Sequence, residues 1–257
     1  MPALGRAIHQ ILACAEPAGR SSVPTHPRTP RRRIYGEKAR GVPPASWSDE
    51  PRRQPGGRFG EHVKANDTVG ETIKILVLAG SLRRGSYNQA LARAAGQLAP
   101  SGVAIETFDG LGALPFYDGD LEAEGFPASV AALRRAIVEA DALLLATPEY
   151  NGATSGVLKN ALDWASRGPD RILAGKPVAV MGASTGASGA RGGIESVVRI
   201  MGRLRSDVLD HLVPVPFAAQ AFDSDLALHE PTVRADVATL VTELADRARG
   251  TTALAAA

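Results

Sequence analysis

The sequence predicts an α/β fold in which one parallel sheet carries helices on both faces. Three observations lead there. Apolar runs recur at Ile75–Ala79, at Ala142–Thr147 and within Lys176–Met181, and they are continuous rather than alternating, as strands covered on both sides require. Each run stops at a polar loop bounded by glycine or proline, and each loop leads into a segment with helical spacing. Strand, loop and helix then repeat in that order, the pattern of a parallel sheet with crossover helices.

The first unit is the most informative. Ile75–Ala79 is a short β-branched and Leu-rich strand stopped by Gly80, and Ser81, Arg83, Ser86 and Asn88 follow within eight residues. Ser86 with Gln89 fits a capping box, and Ala90, Leu91, Ala94, Ala95 and Leu98 keep a helical stripe. A strand feeding a helix N-terminus through such a loop aims free N–H groups and the positive helix end at one point, a seat for an anion such as phosphate. The loop has neither G-x-x-x-x-G-K-[ST] nor G-x-G-x-x-G.

Further along, Pro100–Gly102 predicts a turn, Val103–Phe108 a second strand, and Leu111–Gly125 a loop rich in turn formers. A helix is expected from Pro127 to Ala140 with Val130, Leu133, Ile137 and Val138 inward. After the third strand, the polar stretch Thr147–Gly156 precedes a helix striped by Val157, Leu158, Ala161, Leu162 and Ala165. The fourth strand is followed by the small-residue loop Gly182–Gly189 and a helix lined by Ile194, Val197, Val198 and Met201. Pro214 and Pro216 place the last strand, His211–Val215, at a sheet edge, and Val233–Ala248 closes the chain as an amphipathic helix.

Strand order 2-1-3-4-5 puts the proline-bearing fifth strand at an edge. The first and third strands then flank the switch point, where open α/β sheets bind ligands at the carboxyl ends of strands. The loops after strands one, three and four converge there. The first offers an anion seat, the second a rigid turn with Tyr150 beside it, and the third small residues at Ser184, Thr185 and Gly186. A phosphate joined to a planar heterocycle, as in flavin mononucleotide (FMN), suits that arrangement, and spacing does not choose among nucleotides.

Composition narrows the field. The chain has 257 residues, 44% hydrophobic and 22% charged, enough for one large or two small domains. Residues 1–72 hold 12 Lys+Arg against 7 Asp+Glu, and the remainder 17 against 20, so the basic excess belongs to the N-terminal stretch. That stretch, rich in Pro, Arg, Gly and Ser, reads as a disordered extension over residues 1–72 ahead of one domain over 73–250. Ile8–Ala15 could form a short helix, and Arg6 and His9 interrupt any secretory core ahead of Ala13. No basic face for nucleic acid is expected, and no apolar run reaches the roughly 18 residues of a membrane span. The single cysteine, Cys14, excludes a disulfide framework, and the five histidines lack metal-ligand spacing.

Three stretches together carry a resemblance: Gly80-Ser-Leu-Arg-Arg-Gly-Ser-Tyr-Asn88, Pro148-Glu-Tyr-Asn-Gly152 and Leu158-Lys-Asn-Ala-Leu-Asp-Trp164. They resemble the NADPH-dependent FMN reductase family, and within it the bacterial chromate and quinone reductases, over roughly Ile73–Ala248. The resemblance implies a flavodoxin-like three-layer sandwich and bound FMN, with NADPH or NADH as co-substrate. It also implies a cytoplasmic homodimer or homotetramer. Ser81, Arg83, Ser86 and Asn88 would hold the phosphate. Pro148, Glu149, Tyr150, Asn151 and Gly152 would wrap the ring and ribityl chain, with Ser184 beside the flavin. The implied reaction passes a hydride from NADPH through FMN to a small-molecule acceptor such as a quinone, chromate, an azo dye or free flavin. The cofactor carries that chemistry, so no catalytic side chain and no metal is expected. Two alternatives are an electron carrier that does not turn over NADPH, and a reductase that releases flavin as a substrate.

Overall fold

The computed structural model describes residues 72–255, with side chains to Thr251. The expectations for residues 1–71, disorder and the Ile8–Ala15 helix among them, lie outside the described residues. Five parallel strands are joined in the order β2-β1-β3-β4-β5: β1 Ile73–Ala79, β2 Val103–Thr107, β3 Ala142–Ala146, β4 Pro177–Ala183 and β5 Asp207–Val215. The main helices are α1 Tyr87–Gln97, α3 Ala128–Glu139, α4 Gly156–Ala165, α5 Arg191–Arg203 and α7 Pro231–Ala255. Two short helices, α2 Gly119–Ala123 and α6 Ala218–Ala221, sit in connections.

Side-chain alternation along the central strands splits the core into two layers. Ile75, Val77 and Ala79 of β1 pack with Leu144 of β3 and Met181 of β4 against α1 and α7. Leu76 and Leu78 face the other way with Leu143, Leu145, Val178 and Val180, toward α3, α4 and α5. All five residues of β3 are buried, which explains its continuous apolar sequence. Each Leu or Ile buried here contributes on the order of 2 kcal/mol. The result is a doubly wound sandwich, helices on both faces of one sheet.

Several local expectations change. Ser86 does cap α1, its hydroxyl accepting from the Gln89 N–H at 3.3 Å. The reciprocal half of the capping box is missing, because the Ser86 N–H donates to the Arg83 carbonyl at 3.1 Å, while the Gln89 amide donates to the Ser81 carbonyl at 2.8 Å. Val138 is 58% exposed, and Arg134 occupies the buried face of α3 in company with Ile137. The Leu111–Gly125 stretch is not irregular throughout: it overlaps a 3-10 turn at Asp109–Ala113 and contains α2. β5 starts at Asp207, four residues ahead of expectation, because a register shift opposite Val178–Val180 lets it rejoin β4. Its edge position and Pro214 stand as expected.

Candidate functional site

The carboxyl ends of β1, β3 and β4 enclose an open cleft of about 170 Å³, lined by Ser81, Arg83, Ser86, Asn88, Pro148, Glu149, Tyr150 and Ser184, together with Tyr87, Ala183 and Thr185. Eight of the ten residues expected at a site from the sequence therefore meet in one place. The other two, Asn151 and Gly152, shape its wall without lining it.

The first loop supplies the positive charge. The turn from Arg83 to Ser86, closed by the Ser86 N–H on the Arg83 carbonyl at 3.1 Å, delivers the chain to the start of α1. Gln89 is the first residue of the helix whose N–H is satisfied by the cap, so the Tyr87 and Asn88 N–H groups remain free at the positive helix end. Among the described residues neither the exposed Arg83 guanidinium nor the buried Ser81 hydroxyl has a protein partner. Unpaired donors, a helix start and a cationic side chain on one wall are the donor set of an anion seat.

Asn88 behaves differently from the other three. Its amide nitrogen donates to the Ala183 carbonyl and its oxygen accepts from the Ala183 N–H, both at 2.9 Å. It ties the start of α1 to the end of β4, so much of its hydrogen-bonding capacity is spent on framework.

The middle loop is a tight hairpin. Tyr150 and Ala153 exchange backbone hydrogen bonds at 2.9 and 3.1 Å, with Asn151 at φ 53° and Gly152 at φ 75° between them. Two successive positive φ values make a type I′ turn, which Asn-Gly adopts at least cost. This accounts for both residues without any ligand. Beneath the turn Thr147 and Thr154 join hydroxyls at 2.8 Å in the buried base of the loop. Tyr150 is left 56% exposed at the rim, able to flank a planar group.

The third wall is the turn after β4. The Ser184 hydroxyl accepts from the Ala190 N–H at 3.2 Å and so holds the approach to α5. The fit between the start of α5 and the middle loop is close: a Cβ on Gly193 would lie 2.5 Å from the Pro148 carbonyl oxygen. Tyr87 and Thr185 also line the cleft. Tyr87 gave little sequence signal, since a residue next to a cap is common.

Behind the cleft, α4 holds the stretch after β2. The Asn160 amide and the Trp164 indole N–H both donate to the Pro115 carbonyl, at 2.9 and 2.8 Å, and the Asn160 oxygen accepts from the Tyr117 N–H at 2.9 Å. The Tyr117 hydroxyl donates to Glu122, which pushes its pKa upward. Phe116 projects from between the held residues, 86% exposed. Lys159 and Asp163 pair on the outer face and support only the helix. A second cavity, about 270 Å³, opens at the amino ends of β4 and β5 and includes Arg171, Arg203 and Arg205 in its wall. It borders the C-termini of α4 and α5, whose partial negative charge those arginines offset.

No group of three His, Cys, Asp or Glu suited to a metal occurs among the described residues, and no helix there is long and apolar enough to cross a membrane.

A doubly wound sheet of order 2-1-3-4-5 with a cleft at its switch point defines a fold of the flavodoxin-like class. The family model of NADPH-dependent FMN reductases matches residues 73–220, and the chain belongs to that family. An NAD(P)H-dependent FMN reductase of Pseudomonas aeruginosa is 50% identical over 121 residues, 47% of this chain and 65% of its own. A quinone reductase of Escherichia coli K12 is 43% identical over 122 residues, again 47% of this chain and 65% of its own. The matched region thus spans about 65% of the length of these relatives. Among solved structures, the flavoenzyme NAD(P)H:(acceptor) oxidoreductase FerB of Paracoccus denitrificans superposes with a TM-score of 0.64 at 29% identity, over 69% of this chain and 98% of its own.

Proposed function

We propose that this protein is an FMN-containing NAD(P)H-dependent oxidoreductase that reduces a small-molecule acceptor, with a quinone as the favoured class. The observation that carries the reading is the pairing of an unpartnered Arg83 and Ser81 with the free N-terminus of α1, inside the cleft. Family membership and the relatives named quinone reductase support the same assignment.

The donor set fits FMN. Arg83, Ser81, Ser86 and the first N–H groups of α1 would take the phosphate, offsetting its charge by charge-assisted hydrogen bonds. Pro148, Glu149, Tyr150 and Ser184 would bound the ring, with the Asn151-Gly152 turn keeping that wall in place. Bound FMN supplies the two-electron centre between NAD(P)H and the acceptor. The chain's own part is to seat the phosphate, hold the ring's orientation through the turn, and leave one side open for two substrates in succession. The open cleft suits such alternation.

Steady oxidation of NADPH by the FMN-loaded protein with benzoquinone is the expected result. No steady oxidation of NADPH by the FMN-loaded protein would instead assign an electron carrier.

The functional domain is taken as residues 73–250. Assembly as a homodimer or homotetramer accords with the apolar side chains left exposed on loops at the cleft end of the sheet, Leu82, Phe116, Tyr150 and Phe217. Sedimentation at two or four chain masses is expected, and a monomer would refute it. Since NAD(P)H is an intracellular reductant, the cytoplasm is the expected location, and cell fractionation tests it.

A further inference from the structure

Helix α5 begins without a cap of its own. Its N-cap residue, Ala190, sits at φ 65° and has no side-chain oxygen to offer. Backbone N–H groups in a first helical turn lack intrahelical acceptors, and some outside group has to satisfy them. The acceptor comes from a different loop. Glu149 Oε2 accepts from the Gly192 N–H at 3.0 Å and from the Ser188 hydroxyl at 3.1 Å.

The surroundings are shaped to this contact. A Cβ on Gly192 would lie 2.9 Å from Glu149 Oε1 and 3.0 Å from the Gly152 carbonyl oxygen. On Gly193 it would meet the Pro148 carbonyl. The first turn of α5 is therefore pressed against the wall of the cleft from Pro148 to Gly152, and a carboxylate at a helix N-terminus is also favoured by the helix dipole.

We propose that Glu149 is a positioning residue: it caps α5 from the β3–α4 loop and thereby locks the Tyr150 wall of the cleft to the helix after β4. This rests on reading the cleft as the FMN site. Its carboxylate acts through α5, so its charge is not what a ligand senses. Lining the cleft and facing the ligand with the carboxylate are separate matters for this residue.

The test compares Glu149→Gln with Glu149→Ala. A glutamine oxygen can accept both hydrogen bonds; alanine can accept neither. Hydrogen exchange in the cofactor-free protein is expected to speed up about tenfold at residues 191–194 in Glu149→Ala and to stay near wild type in Glu149→Gln. FMN affinity, read by fluorescence quenching, should fall roughly tenfold in the alanine variant and at most about threefold in the glutamine variant. Ser188→Ala, which removes one of the two contacts, should give an intermediate exchange rate and supplies the test if Glu149→Ala does not fold. The proposal is overturned if glutamine is as damaging as alanine while exchange at 191–194 is unaltered in both, because the carboxylate would then act on the ligand. It is also overturned if Ser188→Ala leaves exchange unaltered. The exchange experiment needs no ligand. A protein that fails to bind FMN yet shows the expected exchange pattern would sink the functional reading and leave the cap intact.

Discussion

Replacing Arg83 by alanine is expected to weaken FMN binding roughly ten- to a hundredfold, the yield of one hydrogen bond to a charged group at about 1.5–3 kcal/mol. Arg83 is the cationic side chain on the cleft wall, it is exposed, and it has no protein partner to lose. Truncation should therefore leave stability close to wild type while binding falls. Being exposed, the contact is screened by salt, so the gap between variant and wild type should narrow from low to high ionic strength. Arg84, its exposed neighbour outside the cleft, is the control, and Arg84→Ala should change affinity by no more than about twofold. Equal affinities for Arg83→Ala and wild type in a flavin-fluorescence titration would remove Arg83 from the phosphate seat.

The largest effect on stability belongs to Trp164. The side chain is fully buried and its indole N–H holds the Pro115 carbonyl at 2.8 Å. Its ring takes Tyr117 edge-on at 5.0 Å between centroids and Phe126 at 6.4 Å. Trp164→Ala empties that space and should cost about 3–5 kcal/mol in urea unfolding. Trp164→Phe keeps most of the volume and loses the indole hydrogen bond, so a loss of about 1–2 kcal/mol is expected. Asn160 still holds Pro115 in both variants. A cost below about 1 kcal/mol for the alanine variant would show that the layer around α4 packs differently.

The architecture was legible because its signals are local and strong. β3 is apolar at every position, since helices cover both of its faces, and Pro214 marks an edge because it cannot donate to a ladder. That the polar residues after β1 and β3 meet in one cleft was legible for a related reason: loops at the carboxyl ends of adjacent parallel strands open on the same edge of the sheet. What individual side chains do there was less legible. Asn88 bonds to Ala183, 95 residues away, and Glu149 to Gly192, 43 residues away. Such partners follow from packing, which no local pattern records. The capping box failed although Ser86 and Gln89 have the right spacing: the turn ahead of α1 gives the Ser86 N–H to the Arg83 carbonyl, and the glutamine's amide goes to the Ser81 carbonyl. Val138 follows the buried Ile137, yet one residue on a helix turns a side chain by about 100° and out to solvent. The 3-10 turn and α2, five residues each, are too short for periodicity to register.

The central claim is that the cleft at the end of β1, β3 and β4 seats a flavin that NADPH reduces. It is tested most directly by the visible spectrum of the purified protein, recorded without oxygen before and after NADPH is added. The account expects a bound-flavin spectrum that bleaches promptly. A colourless protein that oxidises NADPH only when FMN is supplied would move the flavin from cofactor to substrate. A flavin spectrum that stays oxidised would contradict the claim and make the protein an electron carrier.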